Sequence, residues 1–269
     1  MTVAHYENFP VASVLLPRRL REPIAAIYAF ARSADDIADE GNLAAPERMA
    51  LLDSYQRQLD AIADGEAIDD PMFHKLADVI KIHGLPLRPF RDLLDAFSQD
   101  VLQTRYADFR ELMAYCRRSA NPIGHLLLHL FRADSAKNLE YSDAICSALQ
   151  LINHWQDVGI DAAKPVPRIY LPMEDLVYFE IPEADILRRV TTVEFRSLMR
   201  FQIDRTRELM KQGEPLGWLL GGRIGLEIRA IVAGGLRILE KIEAVDYDVF
   251  RHRPVLQRRD WPRILWRAI

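Results

Sequence analysis

Apolar residues recur at three- and four-residue spacing along almost the whole chain, and no alternating run of β-branched residues stands between turn signals. The pattern predicts an all-α protein, with helices at about 18–39, 46–63, 71–83, 87–102, 108–132, 138–162, 182–189, 192–212, 216–244 and 260–268. Glycine and proline mark most of the gaps, at Gly41, Pro46, Gly65, Pro71, Gly84 to Pro86, Pro165 to Pro172, Pro182 and Gly213 to Pro215. Pro23 and Pro122 fall inside helical stretches, where each is expected to break or bend the axis because it removes a backbone donor. No Gly-, Ser- or Pro-rich linker and no repeat divides the sequence, so residues 1–269 are read as one domain. Helices of this number joined by short loops imply a bundle whose functional groups project into a central cavity.

Two features of this helical pattern carry chemistry. The first is Arg32-Ser-Ala-Asp35-Asp36-Ile-Ala-Asp39-Glu40, and the second runs through Asn153-His-Trp-Gln156-Asp157 to Asp161. Helical residues four apart share one face, so each cluster presents carboxylates in one direction, a geometry suited to hard cations. Composition alone yields about two Asp-x3-Asp pairs in such a chain, and three are present. The third, Asp60 and Asp64, sits among Arg57, Gln58, Gly65 and Glu66 and reads as a solvated helix end. The other two lie on the apolar stretches Ile24 to Phe30 and Ile145 to Ile152, where an unpaired charge costs stability. The run Asn153-x3-Asp157-x3-Asp161 is far more specific, with about 0.04 chance occurrences expected. Facing the first cluster across a bundle, these oxygens could hold several Mg²⁺ ions, with substrate phosphates completing the shell. Arg32, Lys164 and Arg168 supply cations close in sequence to the carboxylates, as a diphosphate would require. A surface helix with ordinary i,i+4 acids remains the alternative for either cluster taken alone.

Composition narrows the field further. The chain has 269 residues, 49% hydrophobic and 28% charged, enough to fold without a metal or disulfide. Thirty-five Lys and Arg against 39 Asp and Glu give a net charge of -4, which excludes a wholesale nucleic-acid binder. Cys116 and Cys146 sit in apolar stretches and fit a reducing compartment, and the segment from Met1 to Phe9 has no secretory pattern, so a cytoplasmic protein is expected. The most apolar window, Pro215 to Leu239, carries Arg223, Glu227, Arg229 and Arg237, so any membrane contact is expected to be peripheral. One segment suits such contact: residues 251–267 hold six arginines against one acid, with Trp261 and Trp266 interleaved. The competing expectation is a terminal helix packed on the bundle by those tryptophans. None of the seven histidines has an acid three residues before it, which argues against a di-iron bundle. No Gly-x-Ser-x-Gly elbow and no Gly-rich phosphate loop occurs.

At the two acidic clusters the chain resembles the trans-isoprenyl diphosphate synthases of the squalene and phytoene synthase type. The likeness covers His5 to Pro17, Tyr28 to Asp39, Tyr115 to Gly124, Asn153 to Pro172 and Ile238 to Arg253, and within the family it leans toward the hydroxysqualene-forming members of bacterial hopanoid biosynthesis. The resemblance implies a single α-helical isoprenoid-synthase bundle around a central apolar cavity, with Mg²⁺ held by Asp35, Asp39, Asn153, Asp157 and Asp161. It also implies that His5, Tyr28, Arg32 and Arg168 line or bind the substrate diphosphate, and that Phe9 is an aromatic wall of the cavity. Phe9, Tyr28 and Phe30 would either face a carbocation or simply pack the core.

Three departures from the family pattern bear on the product. Gln156 stands where many relatives have Arg, Ser119-Ala-Asn121-Pro122 replaces a small apolar Val-Ala-Gly wall, and Gly235 replaces a tyrosine. A more polar wall suits capture of a carbocation by water, with Ser119, Asn121 or Gln156 positioning it, although Ser119 and Asn121 are equally suited to capping a kink at Pro122. The expected activity is Mg²⁺-dependent ionisation of presqualene diphosphate and hydration to hydroxysqualene, without NADPH. Condensation of two prenyl diphosphates to presqualene diphosphate, squalene or phytoene is the alternative, and a non-catalytic helical scaffold is a third reading.

Overall fold

Local chemistry sets the limits of several helices. Asp70 accepts hydrogen bonds from the Met72 and Phe73 amides at 2.9 and 3.1 Å and so starts a helix whose first residue, Pro71, needs no donor. Gly65 and Gly84 end two helices in the left-handed conformation, at φ of 73° and 66°. The computed structural model describes residues 16–269, so His5 and Phe9 lie outside the described residues. The elements are α1 (Arg18–Asp39), α2 (Ala45–Asp64), α3 (Pro71–His83), α4 (Arg88–Leu102), α5 (Phe109–Ser119), α6 (Asn121–Leu130) and α7 (Ala136–Asp161). They continue with α8 (Met173–Tyr178), α9 (Glu183–Leu187), α10 (Val193–Gly213), α11 (Pro215–Leu220), α12 (Gly222–Ala244) and α13 (Trp261–Ala268). The fold is all-α: among the described residues the β pairing is one isolated bridge between Arg105 and Ile169.

The structure corrects three expected boundaries. The stretch 108–132 divides at Ala120, because Pro122 takes the second position of a new helix, where its missing amide costs nothing. The stretch 216–244 divides at Gly221 and Gly222, whose φ of 59° and 52° place both in the left-handed region. Pro23, in contrast, leaves α1 unbroken; it lies near the start of the helix, where only one backbone bond is lost, and it is buried. The six-residue α8, which follows Pro172, is too short to show a period and escapes the apolar pattern.

The described chain forms two compact units, each discontinuous in sequence. One comprises 16–103 and 117–139. Here α1 packs on α2, α3, α4 and α6 through Ile24, Ile27, Phe30, Ala34 and Ala38. Phe30 is fully buried and meets Phe73 and Phe90 edge-on, with centroids 5.9 and 5.3 Å away, so of its two expected roles it takes core packing. The other unit comprises 104–116 and 140–269. Its core joins α7, α10 and α12: the Trp155 indole donates to Thr206 Oγ1 at 2.8 Å, and Gly235 fits beneath Met210, Ile152 and Leu149. A Cβ at Gly235 would come within 2.8 Å of Met210 Cε, so a larger side chain there requires the ends of Met210, Ile152 and Leu149 to move aside. Asp60 meets Arg91 at 2.8 Å on an exposed surface, in keeping with its reading as a solvated helix end, and both cysteines are buried and free.

The last helix is fastened by charge. Asp260 is buried and accepts from Arg237 Nε at 2.8 Å, Lys241 Nζ at 2.7 Å and the Gln257 amide at 2.8 Å. Burial opposes its ionisation, yet Lys241, the Gln257 amide and Arg237 outweigh that opposition and hold the carboxyl well below the usual range. A depressed carboxyl contributes stability that is complete above its unfolded value, about 3.9, and is lost as pH falls toward the folded value. Asp260→Asn is therefore expected to cost about 2–4 kcal/mol at pH 7. In urea unfolding, the gap between wild type and variant should narrow at pH 3.

Candidate functional site

One face of α1 carries the half-buried Tyr28, Arg32, Asp35 and Asp36 and the exposed Asp39, at successive spacings that keep them together. Four acids, Asp35, Asp36, Asp39 and Glu40, crowd the carbonyl end of this helix, where the macrodipole already disfavours negative charge. The charges are balanced from two sides. Arg32 meets Asp35 at 3.1 Å, Asp36 at 2.6 Å and Glu40 at 2.7 Å. Arg48 of α2 donates to the carbonyls of Ile37, Glu40 and Gly41 at 2.6, 2.9 and 2.9 Å, satisfying the open end of α1. The compensation is incomplete at Asp35, whose carboxyl is pushed up to about 7 by its desolvated surroundings. Arg32 opposes that shift, while Asp39, Asp100 and Asp36 reinforce it. The Asp35 side chain keeps 41% of its surface accessible, so it is closely surrounded yet open to a ligand. Asp100 on α4 is buried and was not singled out in the sequence, where it has no acidic partner at helical spacing. Ser119 and Asn121 belong to the same unit as these acids; both flank the α5–α6 break, Asn121 is buried, and the buried Ser119 Oγ has no hydrogen-bond partner.

In the second unit, α7 presents Asn153, Asp157 and Asp161 along one stripe. A segment far along the chain lies across it. Gly159 makes the crossing possible, since a Cβ there would come within 3.1 Å of Phe250 Cα and 3.3 Å of the Val249 carbonyl. This brings Pro254 over α7, where its carbonyl accepts from Gln156 Nε2 at 2.6 Å. It also sets the Arg253 guanidinium on both oxygens of Asp157, Nη2 to Oδ2 at 3.1 Å and Nε to Oδ1 closer still. Arg253 is thus a site residue that sequence spacing did not reveal, being 96 positions from its partner. The Gln156 Oε1, buried beside Asp157, has no partner.

The loop after α7 folds back on its end. Lys164 Nζ lies 3.0 Å from Asp161 Oδ1, and the Arg168 amide donates to the Asp161 carbonyl at 3.0 Å. Arg105 holds this loop, donating to the Pro167 carbonyl at 2.6 Å while paired with Glu183 at 2.7 Å. Inward of the stripe, the His154 ring stacks on Tyr170 with centroids 3.7 Å apart, next to Tyr106 and Tyr115. Burial, with Lys164 and Arg168 adding to it, pushes His154 down to about 3, so the ring is neutral and serves as a packed platform for the Arg168–Tyr170 loop.

Each stripe thus combines oxygen donors with cations already seated on them, which suits a ligand that brings both positive and negative charge. Among the described residues no group of three or more His, Cys, Asp or Glu could hold a metal ion unaided. The profile of the squalene/phytoene synthase family matches residues 2–260. The chain belongs to this family. Squalene/phytoene synthases process prenyl diphosphates, so the carboxylates and arginines described above lie in a prenyl-diphosphate enzyme. The chain is 36% identical to the hydroxysqualene synthase of Rhodopseudomonas palustris, covering 89% of this chain and 80% of that protein. It is 33% identical to the 15-cis-phytoene synthase of Synechococcus elongatus, over 94% and 85% of the two chains. The crystal structure of squalene synthase HpnC from Alicyclobacillus acidocaldarius, 37% identical, superposes with a TM-score of 0.83 over 91% of this chain and 90% of that one.

Because Gln156 holds Pro254 and thereby Arg253, Gln156→Leu should loosen the crossing segment. The expected result is faster tryptic cleavage after Arg251, with a stability loss of about 1–3 kcal/mol from the unbonded Pro254 carbonyl.

Proposed function

We propose that this squalene/phytoene synthase family member is a hydroxysqualene synthase. It ionises presqualene diphosphate and hydrates the rearranged carbocation, acting without NADPH as a peripheral protein on the cytoplasmic side of the membrane. The observation that carries the reading is the orphaned Oε1 of Gln156, a buried acceptor beside Asp157 at a position where many relatives carry a cation. An acceptor there can hold a water by one of its hydrogens and leave the oxygen lone pair free to attack.

Each donor set fits Mg²⁺, Asp35 and Asp39 on α1 and Asn153, Asp157 and Asp161 on α7 presenting carboxylate and amide oxygens. A cation at Asp35 would offset the desolvation, and the lesser push from Asp39, Asp100 and Asp36, that raises its carboxyl. When bound, the metal stabilises charge on the departing diphosphate. Arg32, Lys164 and Arg253, seated on carboxylates in the free protein, exchange those partners for phosphate oxygens, and Arg168, in the loop fastened to the end of α7, joins them. The C–O bond breaks with its electron pair leaving on diphosphate, the carbocation rearranges, water adds through oxygen, and one proton is released. Tyr28, on the same face as Arg32, presents its ring to the cation. Ser119 and Asn121 offer further polar contacts to water. The phytoene synthase relative, at nearly the same identity, favours a second reading in which two prenyl diphosphates condense.

The purified protein is to be incubated with Mg²⁺ and either presqualene diphosphate or farnesyl diphosphate, with and without reduced nicotinamide, and the products identified by mass spectrometry. Hydroxysqualene from presqualene diphosphate without reductant is expected. Consumption of farnesyl diphosphate would move the protein to the condensing reading, and no turnover with no Mg²⁺-dependent diphosphate binding would favour a scaffold. Asp35→Asn and Asp157→Asn should each lower kcat/KM about 100- to 1000-fold. Gln156→Leu should divert product from the alcohol to hydrocarbons if its Oε1 holds the water.

A further inference from the structure

Helix α13 uses only part of its circumference to attach to α12. Ile264 and Ala268 are buried, and Arg263 and Arg267 reach Glu240 at 3.2 and 2.6 Å. The tryptophans do not attach it, contrary to one of the two expectations for this segment: Trp261 and Trp266 are both exposed. Trp261, Leu265 and Ile269 recur every four residues as an outward stripe beside Trp266, with Trp266 and Ile269 at 79% and 84% exposure.

Arg229 of α12 extends this stripe to a second helix. It donates to the Ala268 carbonyl at 2.5 Å and to the Gly217 carbonyl at 2.8 Å, and its guanidinium lies 4.1 Å from the Trp218 ring. The exposed Trp218 and Leu219 of α11 are therefore held near the end of α13. An apolar face of this size, with three tryptophans, is uncommon on a surface that meets only water.

Its charges are equally one-sided. Asp260 is engaged by Arg237 and Lys241, and Glu240 by Arg237, Arg263 and Arg267. Arg258 and Arg259, directly before α13, and Arg223, four residues past Leu219, are exposed and form no ion pair among the described residues. Glu214, at the start of α11, is the exposed acid on these elements. The excess is cationic in a chain whose net charge is -4.

We infer that this face of α11 and α13 docks on an anionic lipid bilayer. The tryptophans seat at headgroup depth, and Arg223, Arg258 and Arg259 meet lipid phosphates. The inference rests on the proposed reaction in one respect, that a water-insoluble C30 product needs a bilayer to receive it.

The full chain is to be sedimented with vesicles of phosphatidylcholine alone or with about 30% phosphatidylglycerol, at about 0.1 and 0.5 M salt. Binding to the anionic vesicles that weakens with salt is expected, with a blue shift of tryptophan emission. The double variant Leu265→Ser, Trp266→Ser should bind about tenfold more weakly or less, with unchanged Tm because neither side chain is buried. Arg258→Gln and Arg259→Gln should each cost about fivefold on anionic vesicles alone. Equal sedimentation of wild type and the Leu265, Trp266 variant would overturn the inference. So would a dimer in light scattering that this variant dissociates, with no vesicle binding by wild type. Turnover of detergent-dispersed presqualene diphosphate separates the two proposals: vesicle binding without turnover leaves the surface and removes the reaction.

Discussion

Carboxylates set into half-buried helix faces must be neutralised, and that requirement shapes both units of this protein. At the end of α1, four acids meet a helix terminus that is itself negative, and Arg32 on the carboxylates and Arg48 on the open carbonyls help make the arrangement tenable. At the end of α7, Asp157 and Asp161 are covered by Arg253 and Lys164. These interactions contribute little net stability, because half-exposed ion pairs seldom do. Their significance is that each unit keeps cations seated directly on its half-buried carboxylates.

Chain geometry then determines which cation reaches which acid. A glycine at 159 lets the 249–254 segment lie directly on α7, Phe250 stacks on Phe195 at 4.4 Å, and Thr191 holds Asp248 at 2.6 Å. Gln156 completes the attachment through one half of its amide and leaves the other half without a partner. One side chain thus serves as a fastener for the Arg253 segment and keeps a buried oxygen that the fold itself does not use. A buried acceptor left open carries a desolvation penalty, and this unit keeps such amide oxygens on both Gln156 and Gln202.

The C-terminal helix shows the same logic in reverse. Arginines that face α12 are consumed by Glu240, and the network around Asp260 fixes the helix without help from its tryptophans. The aromatic rings and the remaining arginines are left outward, on a surface whose composition departs from that of the chain as a whole.

Helix positions were legible in the sequence because apolar periodicity and the proline and glycine stops act locally; α1 and α3 have the expected limits, and most other ends differ by one or two residues. The two acid stripes were legible for the same reason, since residues four apart on a helix share a face wherever the helix sits. The unbroken course of α1 through the buried Pro23 and the close fit of Met210, Ile152 and Leu149 over Gly235 depended on packing against other segments. Arg253 on Asp157, Arg48 on the end of α1, Asp100 near Asp35 and Trp218 beside α13 were likewise invisible, because no local pattern joins residues that only the tertiary fold brings together. Local spacing determined which groups share a helix face; the folded chain decided which charges meet, because electrostatic partners are chosen by distance in space rather than along the sequence.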